Sequence, residues 1–179
     1  KQTARIANAL QSLGVTPGDR VAVQVEKSPE ALALYAACVQ AGAVFLPLNP
    51  AYTPAEIAFF VKDSEPALLV ADPGAADALT ALAAKAGARI ETLGAYGRGT
   101  LMAHAAGMLD VFDTVARTAS DTAAILYTSG TTGRSKGAIL SHENLLSNAL
   151  ALRGIWHFTA DDVLLHALPV YHTHGLFVG

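Results

Sequence analysis

Residues 21–48 read VAVQVEKSPEALALYAACVQAGAVFLPL, and this stretch contains a strand, a helix and a second strand in succession. Valine at every second position from 21 to 25 gives the two-residue period of a strand. Ser28-Pro29 supplies the capping residue and the proline of a helix start, and Gly42 stops that helix. The apolar run at 44–46 then predicts the second strand. Strands that alternate with helices in this way imply a parallel sheet covered by helices.

The same order continues on both sides of this unit. A short amphipathic helix that ends at Gly14 precedes it. A helix beginning at Thr53-Pro54, a strand over 67–70 and an alanine-rich helix over 75–86 follow it. Over 90–118 the periodicity weakens and predicts only connections and one short helix. The expected fold class is therefore α/β, layered and rich in parallel sheet.

The last third of the chain is predicted to place a polar loop between two strands. A buried strand over 123–127 precedes the loop, and a short strand over 138–140 follows it. Ser141 caps the next helix, and a further strand is predicted over 163–165.

Composition excludes several classes of protein. With 179 residues, 52% hydrophobic and 15% charged, the chain has material for a sizeable core, so disorder is not expected. A net charge of -3 without a basic stripe argues against nucleic acid as a partner. Apolar runs fall short of the roughly 20 residues of a membrane span. The single cysteine, Cys38, lies in an apolar segment and is interpreted as a buried packing thiol.

The loop in the stretch Tyr127-Thr-Ser-Gly-Thr-Thr-Gly-Arg-Ser-Lys-Gly-Ala138 has the composition of a phosphate site. Glycines let backbone N–H groups approach an anion, hydroxyls donate further hydrogen bonds, and Lys136 adds a mobile charge. The alternative is an ordinary surface loop, since such loops use the same residues. A Walker-type loop is disfavoured, because Ser135 and Gly137 stand where that motif has glycine and Ser/Thr.

At these residues the sequence resembles the adenylate-forming superfamily of acyl-CoA synthetases, luciferases and peptide-synthetase adenylation domains. The phosphate-loop signature of that superfamily is similar to Tyr-Thr-Ser-Gly-Thr-Thr-Gly-x-x-Lys-Gly. Segments 42–49 and 168–176 are similar to two further motifs, so the resemblance covers essentially the whole chain. Segments 133–138 (GRSKGA) and 171–177 (YHTHGLF) look most like the malonate-activating branch, malonyl-CoA synthetase.

The resemblance implies roles for single residues of the loop. The implied ATP-binding residues are Thr128, Ser129, Gly130, Thr131, Thr132, Gly133, Lys136 and Gly137. Lys136, with the hydroxyls of the loop, would hold the β- and γ-phosphates during catalysis. Thr128 would be the magnesium contact. Arg134 is either a further phosphate contact or a solvated charge.

Two histidines near the end of the chain are the implied substrate residues. His172 and His174 alternate, so in an extended segment their side chains point to opposite faces. The resemblance places the first beside the path of the acyl group and pantetheine, which favours His172 over His174. A zinc site is the alternative, but these two histidines have no nearby cysteine or third ligand.

The implied reaction joins a carboxylate, with malonate or methylmalonate favoured, to CoA at the expense of ATP, with Mg²⁺ as a further requirement. We expect residues 1–179 to be part of a large N-terminal ATP- and acyl-binding domain, with a small C-terminal domain and several motifs lying beyond Gly179. Both ends of the sequence look cut, and a cytoplasmic location is expected. The alternatives are an adenylation module that loads a carrier protein or oxidises a luciferin, and an inactive fragment of the ligase.

Overall fold

The computed structural model describes residues 1–128 and 135–178 of the chain. The strands in these residues are β1 (Arg20–Gln24), β2 (Val44–Pro47), β3 (Leu68–Ala71), β4 (Arg89–Thr92), β5 (Thr122–Thr128) and β6 (Lys136–Ser141). The α-helices are α1 (Gln2–Ser12), α2 (Pro29–Ala41), α3 (Pro54–Ser64), α4 (Ala76–Lys85), α5 (Thr100–Ala106) and α6 (His142–Trp156). A 3-10 turn (Ala95–Gly97) and a π-helical turn (His174–Val178) complete the regular structure.

The described strands form one mixed sheet of six strands in the order β4-β3-β1-β2-β5-β6. The first five run parallel, and β6 pairs antiparallel with β5. Val21 of β1 is opposite Phe45 of β2 and Leu68 of β3, so three apolar side chains lie side by side. The predicted parallel-rich α/β fold is confirmed.

Helices cover both faces of the sheet, which gives three layers. On one face α1, α2 and α5 pack through Leu10, Leu34 and Leu101 against alternate strand residues such as Val21. On the other face α3 and α4 pack against the intervening strand residues, Leu69 among them. Because both faces are covered, the central strands are apolar throughout instead of alternating.

Local signals fix the predicted helix boundaries. The Ser28 hydroxyl accepts a hydrogen bond from the Ala31 amide at 3.1 Å, and Thr53 forms a reciprocal capping box with Glu56. Gly42 ends α2 with φ of 70°, a left-handed conformation that a side chain would strain.

Two predictions of secondary structure are wrong. Strand β4 is missing from the sequence prediction, because it lies at the sheet edge and carries charged Arg89 and Glu91 in place of an apolar run. The predicted strand at 163–165 is absent from the described structure, where Val163 is 95% exposed and the segment has no regular structure. An apolar run forms a strand only where a neighbouring strand accepts its hydrogen bonds.

Cys38 lies fully buried in α2, as predicted for a packing thiol. No helix within residues 1–128 and 135–178 has the length and apolar character that crossing a membrane requires.

Candidate phosphate-binding site

The predicted phosphate loop joins two strands of a hairpin, as expected. Thr128, the last residue of β5, pairs with Lys136, the first residue of β6, and its Oγ1 donates to the Lys136 carbonyl oxygen at 3.4 Å. Both residues are exposed. Five predicted ATP-binding residues lie outside the described part of the chain: Ser129, Gly130, Thr131, Thr132 and Gly133.

The hairpin presents different residues on its two faces. Directly opposite residues of an antiparallel pair share a face, and successive residues alternate. Tyr127 and Gly137 therefore share one face, and Thr128 and Lys136 share the other. The Tyr127 ring packs toward the α3 layer. The Thr128 hydroxyl and the Lys136 ammonium are therefore on the face that points away from this core.

Tyr127 is fixed on its face by aromatic packing and by polar contacts of its hydroxyl with Asp63 and Ser64. Its ring centroid lies 4.6 Å from that of Phe60 and 6.2 Å from that of Phe59. Its hydroxyl donates to Oδ2 of Asp63 at 2.7 Å. Burial, together with the hydrogen bond to Asp63 and its charge, raises the pKa of Tyr127 above its ordinary value. The phenol therefore remains protonated and a donor.

Gly137 allows the two strands of the hairpin to pack closely. A Cβ at this position would stand 3.0 Å from Cγ2 of Ile125 and 3.5 Å from Cε1 of Tyr127. The first distance is shorter than ordinary van der Waals contact, so a larger residue requires Ile125 to shift. The structure thus gives Gly137 a packing role; phosphate binding by its backbone stays a prediction.

The hairpin opens at the edge of the sheet where ligands bind in open α/β folds. Strands β1, β2 and β5 are parallel, so their last residues lie at the same carboxyl edge of the sheet. These residues are Gln24, Pro47 and Thr128. Crevices outside this edge are the usual ligand sites of such sheets.

The histidine-containing segment is held at the same edge by Lys27, three residues after β1. The Lys27 ammonium donates to the carbonyl oxygens of His166 at 2.9 Å and Leu168 at 3.2 Å. Further along, His166 Nε2 donates to the Gly175 carbonyl oxygen at 2.6 Å. Val170 is buried against the ends of β1 and β2. These contacts fold the segment back on itself.

His172 and His174 do not lie on an extended segment. His172 is in a bend, with its ring centroid 4.5 Å from that of Tyr171, and His174 begins the π-helical turn. The strand alternation that would send their side chains to opposite faces therefore does not apply. Both residues are exposed, and their role as substrate residues stays a prediction.

The exposed groups at the hairpin end suit an anionic ligand. Lys136 offers a cation and Thr128 a hydroxyl at the end of a loop rich in glycine and hydroxyl side chains. A hydroxyl oxygen is also an acceptable ligand for Mg²⁺, which binds oxygen atoms. In the part of the chain that the structure describes, no three His, Cys, Asp or Glu side chains cluster where they could hold a metal ion.

Sequence reasoning missed two residues at this edge, Lys27 and Asp63. Lys27 lies two residues after the predicted strand that ends at Val25, and a lysine near the carboxyl end of a strand is a signal for a ligand site that the sequence offers. Asp63 gave no signal, because its contact with Tyr127 spans 64 residues and exists only once α3 packs on the sheet.

Comparison with known proteins agrees with this fold. The family model described as AMP-binding enzyme matches residues 1–179. The crystal structure of ATP-bound MatB from Rhodopseudomonas palustris superposes with a TM-score of 0.97 at 60% identity, covering 99% of this chain and 35% of that one.

Curated relatives act on several acids. A feruloyl-CoA synthase from Amycolatopsis is 36% identical over 98% of this chain and 34% of its own length. A malonate–CoA ligase from Arabidopsis thaliana is 32% identical over 93% of this chain and 28% of its own length. This chain thus spans about a third of these proteins. With the family model matching from its first residue to its last, the chain belongs to the AMP-binding enzyme family.

Proposed function

We propose that the complete protein is an AMP-forming acid:CoA ligase, and that residues 1–179 form part of its large N-terminal ATP- and acyl-binding domain, separate from a small C-terminal domain. The observation that carries this proposal is the hairpin end at the carboxyl edge of the sheet. There the exposed Lys136 and Thr128 flank a loop of glycine and hydroxyl residues.

In the first half-reaction, a carboxylate oxygen of the acid attacks the α-phosphorus of ATP. The bond from that phosphorus to the bridging oxygen breaks, which gives an acyl-adenylate and pyrophosphate. Negative charge grows on the departing pyrophosphate. The Lys136 ammonium, placed beside the β- and γ-phosphates, stabilises that charge more in the transition state than in the ground state.

The rest of the loop completes the phosphate cradle in this proposal. The hydroxyls of Ser129, Thr131 and Thr132 donate to phosphate oxygens, and the backbone N–H groups around Gly130 and Gly133 approach without a Cβ in the way. Mg²⁺, when bound, supplies neutralisation of phosphate charge. Thr128 is the residue of this chain that would hold it through its hydroxyl oxygen.

In the second half-reaction, the CoA thiol sulfur attacks the acyl carbonyl carbon and AMP leaves. The thiol loses its proton as the thioester forms. His172 and His174 lie on the segment that Lys27 holds at the carboxyl edge, and we assign them to the acyl and pantetheine path. His172 is the preferred residue of the two.

Malonate is the proposed acid, with methylmalonate next. Support comes from the GRSKGA and YHTHGLF segments and from the malonate–CoA ligase among the relatives. The feruloyl-CoA synthase is 36% identical to this chain and is named for an aryl acid, whereas the malonate–CoA ligase is 32% identical. Identity at this level therefore does not select the acid.

The test is ATP–pyrophosphate exchange by the complete protein. Malonate, methylmalonate, acetate, a medium-chain fatty acid and ferulate are supplied separately. Exchange that depends on malonate supports both the reaction and the acid. Exchange with a different acid retains the reaction and rejects malonate, and a folded protein that exchanges with none contradicts the ligase.

The acceptor thiol separates CoA ligation from loading of a carrier protein. After adenylation, CoA and a phosphopantetheinylated carrier protein are offered in parallel. Consumption of CoA supports the proposal. Transfer only to the carrier protein would replace the CoA ligase with an adenylation module.

A further inference from the structure

The hydrogen bond between Tyr127 and Asp63 joins the base of the phosphate loop to a distant helix. Tyr127 is the residue before Thr128 at the end of β5, and Asp63 lies in the last turn of α3. Their oxygens are 2.7 Å apart, the length of a hydrogen bond to a charged acceptor.

The end of the hairpin has little backbone pairing to the rest of the sheet in the described structure. Strand β5 pairs with β2 through Phe45 and Ala124, four residues before Thr128. From Leu126 to Thr128 the described backbone pairing of β5 is with β6, which is itself the last strand of the described sheet. Beyond this pairing, the contacts that anchor the end of the hairpin to the rest of the fold are those of Tyr127 with α3, namely ring packing on Phe59 and Phe60 and the hydrogen bond to Asp63.

The contact with Asp63 restrains this end of the hairpin from the face opposite the phosphate groups. Tyr127 and Gly137 are paired in the ladder and share the α3-facing side, where the ring carbons Cε1 and Cζ of Tyr127 lie 3.5 Å from the place that a Cβ of Gly137 would take. Because Tyr127 is paired with Gly137 across the hairpin, a contact that holds Tyr127 also restrains Gly137, next to Lys136. The two functional side chains project from the other face of the same four residues.

We propose that Tyr127 and Asp63 are positioning residues, which hold the Thr128–Lys136 end of the hairpin in the orientation that receives the triphosphate of ATP. This inference rests on the proposed function. In this proposal neither residue contacts ATP, because Tyr127 lies on the face of the hairpin opposite Thr128 and Lys136. Asp63 is exposed, so its carboxylate is hydrated when the partner hydroxyl is removed. The effect of breaking the pair is therefore expected on ATP binding more than on global stability.

The experiment is a double-mutant cycle in the complete protein, with Tyr127→Phe, Asp63→Ala and the double variant. ATP affinity is measured by calorimetry, and pyrophosphate exchange gives KM for ATP and for the acid. Each single variant is expected to weaken ATP binding about tenfold, the value of a hydrogen bond to a charged group. The double variant is expected to lose no more than either single variant.

Two further variants separate positioning from packing. Asp63→Asn keeps an oxygen that accepts the tyrosine hydrogen bond, so ATP affinity should return to within about threefold of the parent. Tyr52→Phe is the matched control, because Tyr52 packs on Phe60 in the same cluster but lies outside the hairpin. This control should leave ATP affinity unchanged. KM for the acid and thioester formation from a preformed acyl-adenylate should also stay unchanged in every variant.

Several results would overturn the inference. Additive losses in the double variant would show that the two residues act independently. Equal losses in ATP affinity, acid affinity and melting temperature would show a general packing role. If the parent protein binds ATP but shows no pyrophosphate exchange with any acid, the ligase proposal fails. The ATP affinities of the variants then still test whether Tyr127 and Asp63 position the hairpin. If the parent does not bind ATP, both proposals fail.

Discussion

Thr128 and Lys136 face each other across the mouth of the β5–β6 hairpin, where the Thr128 hydroxyl donates to the Lys136 carbonyl oxygen at 3.4 Å. This bond uses the backbone of Lys136 and leaves its ammonium available. The side chain of a lysine at a strand end can occupy fewer positions than that of a lysine within a long loop, because the strand pairing fixes its Cα and the direction of its Cβ.

Replacing Lys136 by alanine should therefore slow adenylate formation selectively. We expect pyrophosphate exchange to fall by about a hundredfold, the scale of removing one charge-stabilising donor. Thioester formation from a preformed acyl-adenylate involves no departing pyrophosphate and should stay within about twofold. Separate assays of pyrophosphate exchange and of thioester formation from a preformed acyl-adenylate measure how much each rate falls. Lys62→Ala, which removes an exposed lysine from α3, is the matched control. Equal slowing of both half-reactions would remove Lys136 from this role.

Sequence patterns were sufficient wherever a short-range signal determines structure. Ser28, Thr53 and Ser141 were readable as helix caps because each bonds an amide three residues ahead. The hairpin around the phosphate loop was predicted for the same reason, since apolar runs flank it on both sides.

The pattern failed where partners are distant in the chain. Val163–Leu165 has the composition of a strand, yet nothing in the described structure pairs with it. His172 and His174 lie in a bend and a π-helical turn, so the alternation of an extended segment does not apply to them. Lys27 bonds to carbonyl oxygens of the same segment about 140 residues away. Such contacts depend on which strands are neighbours, and local periodicity carries no information about that.

Lys27 gives a prediction about the histidine-containing segment. Lys27→Met keeps the aliphatic stem but removes both hydrogen bonds to the carbonyl oxygens of His166 and Leu168. We expect faster amide hydrogen exchange over 166–178, by about tenfold, because a charged donor is lost. If this segment lines the acyl path, KM for the acid should rise while KM for ATP stays constant. Unchanged exchange over 166–178 would show that Lys27 does not hold the segment.

Gly137 gives a prediction about stability. Its missing Cβ would stand 3.0 Å from Cγ2 of Ile125, closer than ordinary van der Waals contact, so Gly137→Val requires Ile125 to shift. We expect a loss of about 1–3 kcal/mol in the free energy of unfolding, as for other overpacked sites. Urea denaturation measures it.

Gly154 in α6 is the matched glycine control. A Cβ there meets nothing within 4 Å, so Gly154→Ala should be neutral or stabilising by up to about 1 kcal/mol. Loss of stability in both variants, or in neither, would contradict the packing account of Gly137.

Cys38 links stability to alkaline pH. Complete burial raises the pKa of its thiol above the ordinary value of 9.0, so the folded state keeps the proton that the unfolded state releases. The stabilising contribution is therefore fully present below pH 9.0 and is lost progressively as pH rises above that value.

Removing the thiol should flatten this part of the stability profile. Between pH 9 and 10.5, the parent should lose up to about 1.4 kcal/mol per pH unit more than Cys38→Ala, since one additional proton leaves on unfolding. At pH 7 the variant should be the less stable protein by about 1 kcal/mol, because alanine leaves a small cavity under α2. Urea denaturation series at four pH values measure both effects. Tyr127 also has a raised pKa, but it is present in both proteins and cancels in the difference. Parallel pH profiles would show that the Cys38 thiol ionises in the folded protein and is not sealed in the core.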